Sequence, residues 1–160
     1  FLPFLSGVGT PDMKRDMRAA FAGVGIDTNR FGIAQGILEG ICCETQYNLH
    51  VIEPYTGPIR DRITVVGGGA KSPYWMQLKA DVTGLQVEAF PNVEAGTAGA
   101  AILAAMGIGV FSDWRQGSAR LRTRLKSRVY TPDKTRHVAY EKQMEAYMAF
   151  RRLIVSGRSG

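Results

Sequence analysis

From Asn29 onward, apolar residues fall at helical spacing. Phe31, Ala34, Leu38, Ile41 and Thr45 recur every three or four positions, and Ile33 and Ile37 widen the stripe. This period predicts a mostly buried helix. Thr28 or Asn29 can cap it, and Pro54 with the Gly57-Pro58 pair breaks the pattern, so the helix is expected to run to about His50. Residues 1–28 hold Gly and Pro without a sustained period, apart from a short stretch around Arg18-Ala19-Ala20-Phe21, and read as ordered loop.

After the break the period changes. Ile63-Thr64-Val65-Val66 is a β-branched run that ends in Gly67-Gly68-Gly69, as a buried strand entering a tight turn would. A second helix follows at once: Ser72 is an N-cap, Pro73 suits the first helical position, Trp75, Leu78 and Val82 share a face, and Gly84 is the stop. Gln86 to Phe90 reads as a second strand. Glu94 to Met106 reads as a helix of Ala and Gly, whose small side chains permit close backbone approach. Strand, helix, strand, helix with short connections predicts an α/β domain of parallel strands covered by helices, with a right-handed crossover. Thr131-Pro132-Asp133 opens a last helix, in which Tyr140, Met144, Tyr147 and Arg151 form a core-facing stripe.

Composition narrows the class. The 160 residues are 45% apolar and 21% charged, suited to one folded domain, and no stretch approaches the ~18 apolar residues of a membrane span. No membrane partner is expected. The chain opens Phe1-Leu2-Pro3-Phe4 without an initiator Met or a basic and apolar leader, so residue 1 reads as internal to a longer protein. Cys42 and Cys43 are adjacent and point about 100° apart on a helix, a poor start for a disulfide, and a cytoplasmic location fits. Of the 20 Lys and Arg, eight lie between Arg115 and Arg136. Arg120, Arg122, Arg124, Lys126 and Arg128 alternate with uncharged residues, which reads as a strand or extended arm with one charged face. No aromatic interleaves the run, so a solvated or subunit-facing surface is expected rather than a nucleic-acid partner.

The segment built for a ligand is Val66-Gly67-Gly68-Gly69-Ala70-Lys71-Ser72, between a strand and a helix start. Glycines let the backbone approach a ligand, while free N–H groups and a dipole of roughly half a positive charge favour an anion. A plain strand-to-helix turn is the alternative. Walker A requires Gly before the Lys, and Ala70 stands there; the dinucleotide fingerprint requires a third Gly, and Ser72 stands there.

These residues, with Ala80-Asp81-Val82-Thr83-Gly84 and Glu94-Ala95-Gly96-Thr97-Ala98-Gly99, resemble the C-terminal domain of the FGGY carbohydrate kinases. Phe1-Leu2-Pro3-Phe4-Leu5-Ser6-Gly7 and Leu38-Glu39-Gly40 upstream, and Tyr130-Thr131-Pro132-Asp133 downstream, extend the resemblance over nearly the whole chain. Gly32 and Gly36 depart from the family's second signature, where a polar and a small residue are usual. The resemblance implies a ribonuclease H-like, actin-like ATPase fold, of which residues 1–160 are an incomplete nucleotide-binding domain lacking the first strands and the N-terminal sugar-binding domain. It implies ATP, with Mg2+ arriving on the nucleotide, and a sugar or polyol substrate, a xylulose-type ketose first. It carries the cofactor contacts onto Gly68 and Gly69, which match glycines approaching the adenosine and α-phosphate, onto Ala70 and Lys71 of the same loop, and onto Ser72 near the polar position that follows.

The family's catalytic aspartate and most sugar contacts lie upstream, so the chain is expected to hold no catalytic residue and to be inactive alone. Its partners would be the missing part of the same protein and, through an open sheet edge, another copy. Asp12, Asp27, Asp61 and Asp81 read as caps, turn residues or solvated charges, and Glu39 as a hydrogen-bonded structural acid. His50 and His137 have no partners at ligand spacing, so no protein-held metal is expected. A non-catalytic nucleotide-binding or structural module of the same fold is the rival reading.

Overall fold

The computed structural model describes residues 1–59 and 61–157. In chain order the elements are α1 (Arg30–Thr56), β1 (Arg62–Val66), α2 (Pro73–Thr83), β2 (Gln86–Phe90), α3 (Ala95–Gly107), α4 (Trp114–Arg122), β3 (Arg128–Tyr130) and α5 (Lys134–Ser156). The sheet order is β1-β2-β3. β1 and β2 are parallel, with Ile63 opposite Val87 and Val65 opposite Ala89, while β3 runs antiparallel to β2.

α2 sits between two apolar layers. Met76 and Ala80 pack with Ala70, Val87 and Ala89 on the sheet side. Leu78 and Val82 pack with Cys42 and Cys43 of α1, Tyr147 and Val155 of α5, and Leu2, Phe4, Val8 and Met17 of the N-terminal segment. That segment has no regular element beyond isolated bridges, yet it supplies four core side chains.

The cap chemistry explains most boundaries. Asn29 accepts from the N–H groups of Phe31 and Gly32, and Asp133 accepts from Arg136 N. Gly84 ends α2 at φ 68°, and a Cβ there would lie 2.6 Å from the His137 ring, so both backbone and packing demand glycine.

Several expectations are corrected. α1 continues to Thr56 with Pro54 inside its last turn, because a proline there forfeits a single backbone bond and Gly57 closes the helix by donating to Glu53 O. The predicted buried stripe of α1 is open at its start, where Phe31 is 69% exposed; burial comes at Gly40, Cys42 and Cys43, where α2 and α5 pack. β1 is a half-exposed edge strand rather than a buried one. Among the described residues α3 buries none and packs mainly on α4, leaving a groove of about 420 Å³ lined by Ile102, Leu103, Trp114 and Leu121.

The basic run is not one extended arm. Arg120 and Arg122 close α4, which Asp113 starts by accepting from Gln116 N, and only Arg128–Tyr130 is strand. Leu121 and Leu125 satisfy a helical spacing as well as an alternating one, which is why the pattern misleads. Arg62 and Arg122 both reach Glu88, at 3.4 and 2.9 Å.

Asp81 is buried, not solvated. Its Oδ1 accepts from Gln77 Nε2 and Asp133 N, both at 2.8 Å, and its Oδ2 pairs with Arg136 at 3.2 Å. Asp12 is likewise engaged, by Arg151 Nη2 at 2.6 Å. Both cysteines are free and buried, and burial pushes the Cys43 thiol up to about 12. Among the described residues no helix is long and apolar enough to cross a membrane.

Arg151 clamps three parts of the chain. Only 4% exposed, it pairs with Asp12 of the N-terminal segment and with Glu44 of α1 at 3.1 Å, and its guanidinium lies 3.8 Å from the centre of the Tyr47 ring. Tyr147 donates to the same Glu44 at 2.5 Å. Burial alone would lower the Arg151 pKa, but Glu44 and Asp12 outweigh it and hold the guanidinium charged. Arg151→Met should therefore strand two partly buried carboxylates and destabilise the fold by about 2–4 kcal/mol, read as a lower urea midpoint. An unchanged midpoint would show that the clamp contributes nothing.

Candidate functional site

Val66 lies opposite Phe90, so the parallel strands end side by side, and the chain turns out of the sheet at that edge. In open α/β sheets the carboxyl edge of parallel strands is where ligands bind. Gly67 makes the exit at φ 84° and ψ −165°, a conformation side chains rarely adopt. Gly68–Lys71 then forms one 3-10 turn, in which Ala70 N donates to Gly67 O at 3.1 Å and Ser72 N to Gly69 O at 3.3 Å.

The first N–H groups of such a turn have no partner inside it, and no side chain caps them. A Cβ built at Gly67 or Gly68 meets nothing within 4 Å, so the outer side of the loop is open space. Gly69 differs: its Cβ would stand 3.0 Å from Trp75 Cζ3. The turn therefore rests on the indole on one side and leaves backbone donors accessible on the other.

The predicted site residues share this turn but not one environment. Gly68 and Lys71 are exposed, and Gly69 is half-buried against Trp75. Ala70 is 2% exposed and anchors the turn in the cluster between sheet and α2, so only its backbone remains for a ligand. Ser72 Oγ accepts from Trp75 N at 3.2 Å, which commits the hydroxyl to capping α2, with Pro73 in the first turn. The turn itself carries one charged side chain, the cation Lys71, and no acid.

A second helix starts on the same edge. α3 begins at Ala95, five residues after Phe90, and its N-cap Glu94 makes no side-chain cap bond. Sequence reasoning used this stretch for resemblance but did not see an uncapped start on this edge. The available signal was Glu94 itself, standing where Ser, Thr, Asp or Asn would close the N-terminus.

The remaining polar candidates lie elsewhere, and Glu39 and the two histidines are engaged. Glu39 accepts from Gln35, Tyr140 and Gln143, a structural hub between α1 and α5 that raises the Tyr140 pKa after the larger effect of burial. His137 Nδ1 is 2.9 Å from Asp81 O, and His50 lies 3.5 Å from Gln46 Nε2. Asp27 is exposed, and Asp61 contributes its carbonyl to Gln86 N. Among the described residues no three His, Cys, Asp or Glu side chains gather into a metal cluster.

Comparison with known proteins gives a consistent answer. Residues 1–108 match the C-terminal domain of the FGGY family of carbohydrate kinases. A xylulose kinase of Staphylococcus epidermidis is 31% identical over 150 residues, covering 93% of this chain and 29% of the relative. The L-xylulose/3-keto-L-gulonate kinase of Escherichia coli is 34% identical over 148 residues, covering 92% of this chain and 28% of the relative. The chain thus spans under a third of the length of these relatives. A ligand-bound xylulose kinase from Lactobacillus acidophilus superimposes with a TM-score of 0.79 at 22% identity, over 99% of this chain and 31% of that one. The likeness establishes an α/β fold shared with kinases of the actin-like ATPase fold, and the chain belongs to the FGGY family of carbohydrate kinases, its residues 1–108 matching the family's C-terminal domain.

Proposed function

We propose that the complete protein transfers the γ-phosphoryl group of ATP to a hydroxyl of a sugar or polyol, with a xylulose-type ketose as first candidate, and that this chain supplies the loop that holds the nucleotide. The observation that carries the reading is the open, uncapped turn at Gly68–Lys71 on the carboxyl edge of two parallel strands. Kinase relatives support the use of ATP.

The residues fit such a ligand. Backbone N–H groups of Gly68 and Gly69 can donate to phosphate oxygens, and the absent side chains leave space where the nucleotide would approach. Lys71 adds an exposed positive charge to the same turn. Ser72 and Pro73 fix the start of α2 and so hold the turn still, which is the chain's contribution to positioning. Mg2+ carried with ATP would neutralise phosphate charge during transfer, while the base and the sugar contacts belong to the part of the protein upstream of this domain.

A panel of ketoses and polyols, with ATP consumption as readout, tests the activity: the complete protein should phosphorylate at least one, and the 160-residue chain none. For the loop the informative substitution is Gly68→Val, because a side chain at Gly68 meets no protein atom, whereas one at Gly69 strikes Trp75 and confounds folding with binding. Gly68→Val should weaken ATP binding about tenfold or more, some 1.4 kcal/mol, with the sugar affinity kept. Unaltered nucleotide affinity in the folded variant would remove the loop from the site. Ser72→Ala should lower stability by about 1 kcal/mol through loss of the cap to Trp75 N, measured by thermal or urea unfolding. A loss of ATP affinity out of proportion to stability would instead place the hydroxyl on the ligand.

A further inference from the structure

Trp75 is the third residue of α2 and packs against both core clusters, the sheet-side one and the one shared with α1 and α5. It also touches the glycine loop twice. Its N–H donates to Ser72 Oγ, and its ring edge lies under Gly69, where an added Cβ would be 3.0 Å from Cζ3 and 3.5 Å from Cε3.

The indole is held from several sides. The Lys79 ammonium sits 5.6 Å from the ring centre and donates to Thr45 of α1 at 3.1 Å. Nε1 is buried without a hydrogen bond of normal geometry, although the N–H is near enough to the Cys42 thiol to oppose the rise that burial imposes on it. A tryptophan that leaves its polar atom unsatisfied is being positioned by packing rather than by that atom.

Buried Ala70 and the Ser72 cap hold the far end of the loop, but its glycines are held less directly. Its own bonds at Ala70 and Ser72 span 3.1 and 3.3 Å, and Gly67 to Gly69 have no side chains to lock their direction. We propose that Trp75 is a positioning residue for the nucleotide loop, its ring edge serving as the floor that sets where the Gly68 and Gly69 N–H groups point. This rests on the proposal that the loop holds nucleotide. It adds that nucleotide affinity is set from inside the protein, by a side chain that touches no ligand, and that the α1 layer reaches the loop through this indole.

The test uses the complete protein. Trp75→Leu should raise the KM for ATP about tenfold, and Trp75→Phe, whose shorter ring falls short of Gly69, about threefold, with the KM for the accepted sugar within about twofold of wild type. ADP titration by calorimetry should show the same loss. Gly69→Ala should weaken ADP binding in the wild-type background but cost clearly less beside Trp75→Leu, a departure from additivity of about fivefold. A purely structural role would lower the melting temperature without separating the two KM values. If Trp75→Leu does not fold, Trp75→Phe carries the same comparison. An unchanged KM for ATP in folded Trp75 variants, or strict additivity with Gly69→Ala, overturns the inference. If Gly68→Val weakens ATP binding and the Trp75 variants do not, this inference alone fails; if Gly68→Val is also silent, the loop assignment fails with it.

Discussion

Seven of the eleven residues of α2 are buried, and this double-sided burial sets the conditions for the rest of the fold. A helix covered by a sheet on one side and by helices on the other cannot leave its polar groups to water. Lys79 finds Thr45 and the Trp75 ring; Asp81 finds Gln77, Asp133 N and Arg136; Thr83 Oγ1 donates to Lys79 O. Each partner lies on α1, on α5 or its approach, or on α2 itself, so satisfying α2 fixes the helices around it. The same burial fixes the loop, because the turn at Gly68–Lys71 runs directly into the capped start of α2.

Locally encoded features were legible in the sequence. β2 and the start and stop of α2 follow from an N-cap serine, a first-turn proline, a β-branched or alternating run and a terminal glycine, all within a few residues. The loop was legible because three consecutive glycines between a strand and a helix admit few structures. What the sequence hid depends on distant partners. Leu2, Phe4, Val8 and Met17 are core residues without a period, since an irregular segment buries side chains wherever its path meets the core. The burial of Asp81 depends on Arg136 and Asp133 N, over fifty residues away. Local pattern carries no sign of either.

Apolar surface is distributed unevenly, and the imbalance has a physical consequence. The layer around α2 is closed, whereas among the described residues α3 buries nothing, β1 has a partner on one edge only, and Phe31, Leu103 and Trp114 stand more than half exposed. Leu103 and Trp114 share one apolar groove, the kind of exposed surface that partners use. The stability of the described residues must come chiefly from the two clusters that meet at Trp75, because α3 and α4 contact mainly each other.

The placement of the acids bears on how phosphoryl transfer would be divided. A general base needs a free lone pair within reach of the hydroxyl it deprotonates or orients. Asp12 and Glu44 are held by Arg151, Glu39 by Gln35, Tyr140 and Gln143, Asp81 by Arg136 and two N–H donors, and Glu88 by Arg62 and Arg122. Recruiting Asp81 or Glu44 would break a contact that keeps a helix in place, at a cost comparable to a sizeable fraction of a domain's stability, whereas the exposed arginines on Glu88 contribute little. The arrangement suits a domain that holds phosphates with backbone groups: these five carboxylates are spent on rigidity, and rigidity is what a loop of bare glycines requires to present its N–H groups in one direction.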